Sequence, residues 1–156
     1  MIRKNILNKD EFQELVQKVG YSLALYLTGQ ERMMAGYDWS EVLVNNPEFA
    51  NDCKWFKLNG NDWYWLLRYQ PQFANKCQWF KLTGLDWERL LAIRPEFADI
   101  CEWRKLNGLH WVELLIKQPQ FADKCNWSKL NSSNWSWLLK HQPQFEIYLP
   151  QVSIDD

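Results

Sequence analysis

The 156-residue chain has no excess of charge of either sign, with 18 Lys and Arg against 19 Asp and Glu and a net charge of −1. That excludes a bulk basic field drawing it onto nucleic acid or an anionic membrane. Long apolar runs are missing too: none approaches the roughly 18 residues that would span a bilayer. The N-terminal stretch MIRKNILNKDEF carries neither the apolar segment nor the small-residue cleavage site of a signal peptide. Histidine is scarce, at two residues. No G-x-S-x-G, G-x-x-x-x-G-K-[ST] or H-E-x-x-H pattern occurs. The four cysteines are not clustered as metal ligands are. These absences lead to the expectation of a cytoplasmic, non-catalytic protein with no metal, no cofactor, no small-molecule substrate and no membrane partner.

Tryptophan is abundant, at 11 residues, and five of them keep a fixed step. Trp39, Trp63, Trp87, Trp111 and Trp135 follow one another at 24 residues. Pro47, Pro71, Pro95, Pro119 and Pro143 keep that step, as do Phe49, Phe73, Phe97, Phe121 and Phe145. Cys53, Cys77, Cys101 and Cys125 repeat in register with Trp55, Trp79, Trp103 and Trp127. The unit reads D-W-x-x-L-L-x-x-x-P-x-F-A-x-x-C-x-W-x-K-L-x-G-x. Its copies run 38–61, 62–85, 86–109, 110–133 and a partial 134–145, after which the pattern is lost.

Each unit decomposes into short helices. Trp63, Leu66 and Leu67 fall at i, i+3 and i+4, one face of a helix. Asp62 stands where a side chain can cap that helix, and Pro71 ends it near Gln70. Pro71 is suited to open a second helix, with Phe73, Ala74 and Cys77 facing inward. A break after Cys77 predicts a separate turn, Trp79 to Leu82, stopped by Gly84 in a left-handed conformation. Ser132 and Ser133 replace that glycine in the fourth copy, which predicts a different turn there.

Helices this short are unstable alone. They require stacking of each unit on the next, so the expected fold is an all-α solenoid of five 24-residue units forming one structural domain. Residues 1–37 are read as an N-terminal cap built on one helix over 8–27, with Asn8 and Glu11 at capping-box spacing. Residues 146–156 are read as a C-terminal cap and tail, with Pro150 and the acidic Ser153-Ile154-Asp155-Asp156 end.

The motif W-x-x-L-L-x-x-x-P-x-F-A-x-x-C-x-W-x-K-L over residues 38–145 resembles the tryptophan-rich 24-residue tandem repeats of bacterial proteins. In unit length the chain is also similar to leucine-rich repeat variant solenoids, a resemblance that implies alternating α and 3₁₀ helices. A true leucine-rich repeat, with a strand through Cys77-Gln78-Trp79, is the rival fold. The resemblance implies little about activity.

The regularly spaced cysteines are expected to be buried thiols acting as small hydrophobes. Lys57, Lys81, Lys105 and Lys129 form a ladder that either lies on neighbouring indoles or tracks a phosphate backbone. Function is expected where the units differ. With the aspartate as position 1, positions 4, 7 and 8 of the first helix point away from its Trp-Leu-Leu face. They supply an outer ridge of Trp65, Arg68, Tyr69, Arg89, Ile93, Ile116, Trp137, Lys140 and His141. Trp, Tyr and Arg are enriched at binding hot spots. The ridge therefore points to a protein partner, with single-stranded nucleic acid as the disfavoured alternative, and with sideways packing of Trp65 and Trp137 as the plain structural explanation.

Overall fold

The computed structural model describes residues 7–149. Those residues form an all-α solenoid of short helices, with no strand among them, which removes the leucine-rich repeat. The chain divides into two compact units, Met1–Lys81 and Leu82–Asp156. Residues 150–156, with the tail that the sequence suggests as part of a C-terminal cap, lie outside the described residues.

The first unit begins with α1 (Lys9–Val19) and α2 (Tyr21–Leu27). Asn8 and Glu11 close the expected capping box: the Asn8 side chain accepts from the Glu11 amide at 2.9 Å, and Glu11 accepts from the Asn8 amide at 2.8 Å. The single helix expected over 8–27 does not form. Gly20 sits at φ 84°, a left-handed conformation open to glycine at little cost, and splits it in two. Then come α3 (Gly36–Asn45) and α4 (Gly60–Tyr69), which pack on each other. The second unit carries α5 (Gly84–Ile93), α6 (Gly108–Lys117) and α7 (Ser132–His141), each packed on the next.

Each of α3 to α7 is followed by a six-residue 3₁₀ helix opened by the repeat proline, as in Pro71–Lys76, and α3 to α6 also by a three-residue 3₁₀ turn, as in Trp79–Lys81. The break after Cys77 is as expected. The second helix is 3₁₀ rather than α, a form suited to short pieces.

Two expectations about the helix start are corrected. Asp62 is not the N-cap. Asn59 is, and Asp62 is the third helical residue: Asn59 Oδ1 accepts from the Asp62 amide at 3.0 Å while Asp62 Oδ2 accepts from the Asn59 amide at 2.9 Å. Thr83 with Asp86, Asn107 with His110, and Asn131 with Asn134 make the same reciprocal box. Gly84 is not left-handed either. It is the first residue of α5, and the close approach of the next repeat demands it. A Cβ there would lie 2.2 Å from the Lys105 carbonyl oxygen and 2.6 Å from the His110 ring. Ser132 fills this place in α7 with the helix start unchanged, so the different turn expected there does not occur.

The core is a series of aromatic triads. Trp63, fully buried, stacks on Trp55 of the preceding repeat at 5.5 Å and 8°, and Trp55 tilts onto Phe73 at 5.5 Å. Trp111–Trp103–Phe121 and Trp135–Trp127–Phe145 reproduce the arrangement in the second unit. Tyr26 stands in for the missing indole at the first repeat, 6.0 Å from Trp39 and 4.5 Å from Phe49. Tyr148 stacks on Trp127 at 4.4 Å at the last.

Two polar ladders fasten successive repeats. The lysine ammonium groups reach backbone carbonyls of the repeat before: Lys57 bonds those of Arg32 and Met34, Lys81 those of Phe56 and Leu58, Lys129 those of Arg104 and Leu106. Lys105 bonds the Leu82 carbonyl at 2.8 Å. The ladder is thus an inter-repeat staple, made through carbonyls rather than through the indole faces the sequence suggested. The glutamine before three of the prolines supplies a second staple. Gln70, Gln118 and Gln142 donate to the carbonyls of Val44, Ala92 and Ile116, at the ends of the preceding α-helices. Lys129→Met keeps the stem but strands two carbonyls, and is expected to cost about 1.5–3 kcal/mol, the range for hydrogen bonds to a charged group. Urea unfolding of the variant beside the parent chain measures it.

Candidate functional site

The structure puts the outer-ridge residues on the surface in separate groups. In α4, Trp65 is 43% exposed and Tyr69 49%. Their rings stack at 6.1 Å and 8°, one helical turn apart. Arg68, half-buried, lies 5.5 Å from the Trp65 ring and 5.3 Å from the Tyr69 ring, and donates to the Tyr64 hydroxyl at 2.9 Å. That hydroxyl contact, with the facing tyrosine rings, raises the Arg68 pKa further, so the guanidinium stays charged. Tyr64, Trp65, Arg68 and Tyr69 thus form one contiguous fourfold cluster of rings around a planar cation.

In α7, Trp137 is 45% exposed, and Lys140 Nζ lies 5.4 Å from its ring centre. His141 packs on the same ring at 4.3 Å, with Nδ1 2.9 Å from the Trp137 carbonyl oxygen. Since a carbonyl only accepts, Nδ1 carries the proton in this arrangement. Ser132, Ser133 and Ser136 line an open depression of about 460 Å³ with Trp137 and Lys140.

The remaining ridge residues do not join these clusters. Arg89 and Ile93 are exposed on α5, and Ile116 is half-buried on α6. The seventh position is less outward than the pattern suggests in four of the five copies: Val44, Arg68, Ala92 and Ile116 are half-buried, and Lys140 is exposed.

Sequence reasoning missed the third position. Ser40, Tyr64, Glu88, Val112 and Ser136 occupy it, and the first four are buried although they share no chemistry, while Ser136 is exposed. Ser40 donates to the Tyr37 carbonyl and Tyr64 accepts from Arg68, each within its own helix. Glu88, 4% exposed, is paired with Lys117 of the next repeat at 2.8 Å. Lys117 is therefore tied to the scaffold. Variation at a position suggests exposure, and no single-residue signal separates the two cases here.

The cysteines are all unbridged. Cys53 is buried, and Cys77, Cys101 and Cys125 are half-buried. Burial pushes each thiol up to about 12 from an ordinary value near 9. The fold favours the neutral thiol. Its contribution is complete below about pH 9 and is lost as pH rises towards about 12, because the unfolded chain ionises first. We expect slow reaction with thiol reagents at pH near 8 unless denaturant is added. Stability should fall more steeply from about pH 9 in the parent chain than in Cys77→Ala/Cys101→Ala, a comparison that cancels lysine titration.

His110 takes the aspartate's place in α6, and its Nδ1 accepts from the Asn107 amide at 3.3 Å. Burial lowers its pKa, with the Glu88 charge opposing, so the ring is held neutral as a cap acceptor. Among the described residues no group of three or more His, Cys, Asp and Glu is placed to hold a metal ion, and no helix is long and apolar enough to cross a membrane.

No family model, curated protein or solved structure matches this chain.

Proposed function

We propose that the protein is a non-catalytic interaction module of the cytoplasm that binds another protein through exposed aromatic clusters carried on a helical repeat scaffold. The observation that supports this reading is a division of labour between positions. The repeated Trp, Phe, Lys and Gln side chains are used in holding repeat to repeat, whereas the variable fourth and eighth positions leave Trp65, Tyr69 and Trp137 on the surface beside cations. Exposed aromatics of this size are the usual anchors of binding energy. The single-stranded nucleic-acid alternative draws less support, because the lysines that would follow phosphates are engaged by carbonyls.

The test is binding by variants. Once a partner is captured with the intact chain and purified, Trp65→Ala and Trp137→Ala should each weaken its binding by about 2 kcal/mol, the scale of an aromatic hot spot. A partner bound equally by the parent and both variants would place the interface elsewhere.

A further inference from the structure

We infer that the two tryptophan clusters receive acidic peptide segments, carboxylates set beside apolar side chains; this rests on the interaction-module reading above and names the partner's chemistry. The argument is one of charge. The chain as a whole is slightly acidic, at −1. The two helices that expose tryptophan depart from that balance. On α4 the charged residues are Asp62 and Arg68, and Asp62 is 3% exposed, turned into the capping box. On α7 there is no acidic residue at all, and Lys140 is its cation. Each exposed Trp thus has a cation one turn on and no carboxylate on its own helix.

The helices without an exposed tryptophan are different. Glu41 holds the fourth position of α3 and accepts a hydrogen bond from Ser22 at 2.7 Å. Glu113 holds it in α6, and Glu88 in α5 pairs with Lys117. On α4 and α7 themselves, then, the exposed charge is positive. A partner's carboxylate can meet Arg68 or Lys140 while its apolar neighbour lies on the Trp65 or Trp137 ring, so one short segment satisfies both halves of a cluster. On α7 the hydroxyls of Ser132, Ser133 and Ser136 line the adjoining depression, adding donors for the same carboxylates. A basic segment would meet like charge at both clusters.

Random peptides displayed on phage and selected on the immobilised full-length chain test the inference. Selected sequences should be enriched in Asp and Glu next to Leu, Phe, Trp or Pro. The best of them, resynthesised with a fluorophore, should bind less tightly as salt rises. Arg68→Gln or Lys140→Gln should weaken the cognate peptide about tenfold. Neutral or basic peptides that still require Trp65 or Trp137 would overturn the acidic assignment and leave the interaction module standing. Peptides indifferent to both tryptophans would overturn the assignment and the module reading together. Single-stranded oligonucleotides that bind the full chain and displace the selected peptides would overturn it in favour of a nucleic-acid ligand.

Discussion

Trp111→Ala is expected to lower stability by about 3–5 kcal/mol, the cost of truncating a fully buried indole. For a chain of this size that is a fall of roughly 10 °C in melting temperature. The size of the effect follows from what the ring touches. Trp111 has no exposed surface, and it stacks on Trp103 of the preceding repeat at 5.3 Å. Trp103 in turn leans on Phe121 at 5.4 Å. Removing the middle of that contact chain opens a void between repeats that neither backbone can collapse into, because the lysine and glutamine staples hold their spacing. Trp111→Phe should be milder. It loses less volume, and it also removes an indole N–H that is buried without an acceptor. Denaturant unfolding of the two variants beside the parent chain gives both numbers.

Gly108→Ala is expected to cost about 3 kcal/mol, at the upper end for overpacking. A Cβ at Gly108 would lie 2.3 Å from the Lys129 carbonyl oxygen and 2.4 Å from Asn134 Oδ1. The first of these atoms is backbone, so relief requires the next repeat to move as a body. Movement there also pulls Lys129 from the Arg104 and Leu106 carbonyls, which it bonds at 2.8 and 2.6 Å. The equivalent residue in α7 is Ser132, exposed and already carrying a Cβ. Ser132→Ala should change stability by no more than about 0.5 kcal/mol, the range for surface substitutions. Thermal melts of the pair separate a close-approach glycine from a merely helix-disfavouring one, for which Ala would be stabilising.

The repeat and its all-helical character are legible in the sequence because Trp63, Leu66 and Leu67 and their equivalents obey helical periodicity, and Pro71 and its equivalents mark one boundary. The other boundary was misplaced by three residues. Asp62 looks like a cap, yet the sequence pairs it with Asn59 in a box whose acidic member is shorter than the usual Glu. Gly84 is ambiguous for a related reason. A glycine after a short turn is consistent with a left-handed stop, and only the position of Lys105 in the next repeat shows that space, not conformation, requires it. The regularity of the lysine ladder is plain in the sequence, but its carbonyl partners lie 23 and 25 residues back, as with Lys81 and the Leu58 and Phe56 oxygens, beyond any local pattern. The outward direction of Trp65 and Trp137 follows from periodicity alone. The bond of the Tyr64 hydroxyl with Arg68 spans only four residues of α4, but the burial of Tyr64 is not marked by that helix's periodicity.

The account separates tryptophans that hold the scaffold from tryptophans left for a partner, and one comparison tests that separation most directly. Trp63→Ala and Trp65→Ala lie two residues apart on α4, with Trp63 fully buried and Trp65 43% exposed. Their melting temperatures, measured side by side with the parent chain, should differ widely. Trp63→Ala should fall by roughly 10 °C, and Trp65→Ala should stay within about 3 °C, the equivalent of about 1 kcal/mol. An equal fall in the two would mean that Trp65 is a packing residue, and would contradict the assignment of the exposed clusters to binding.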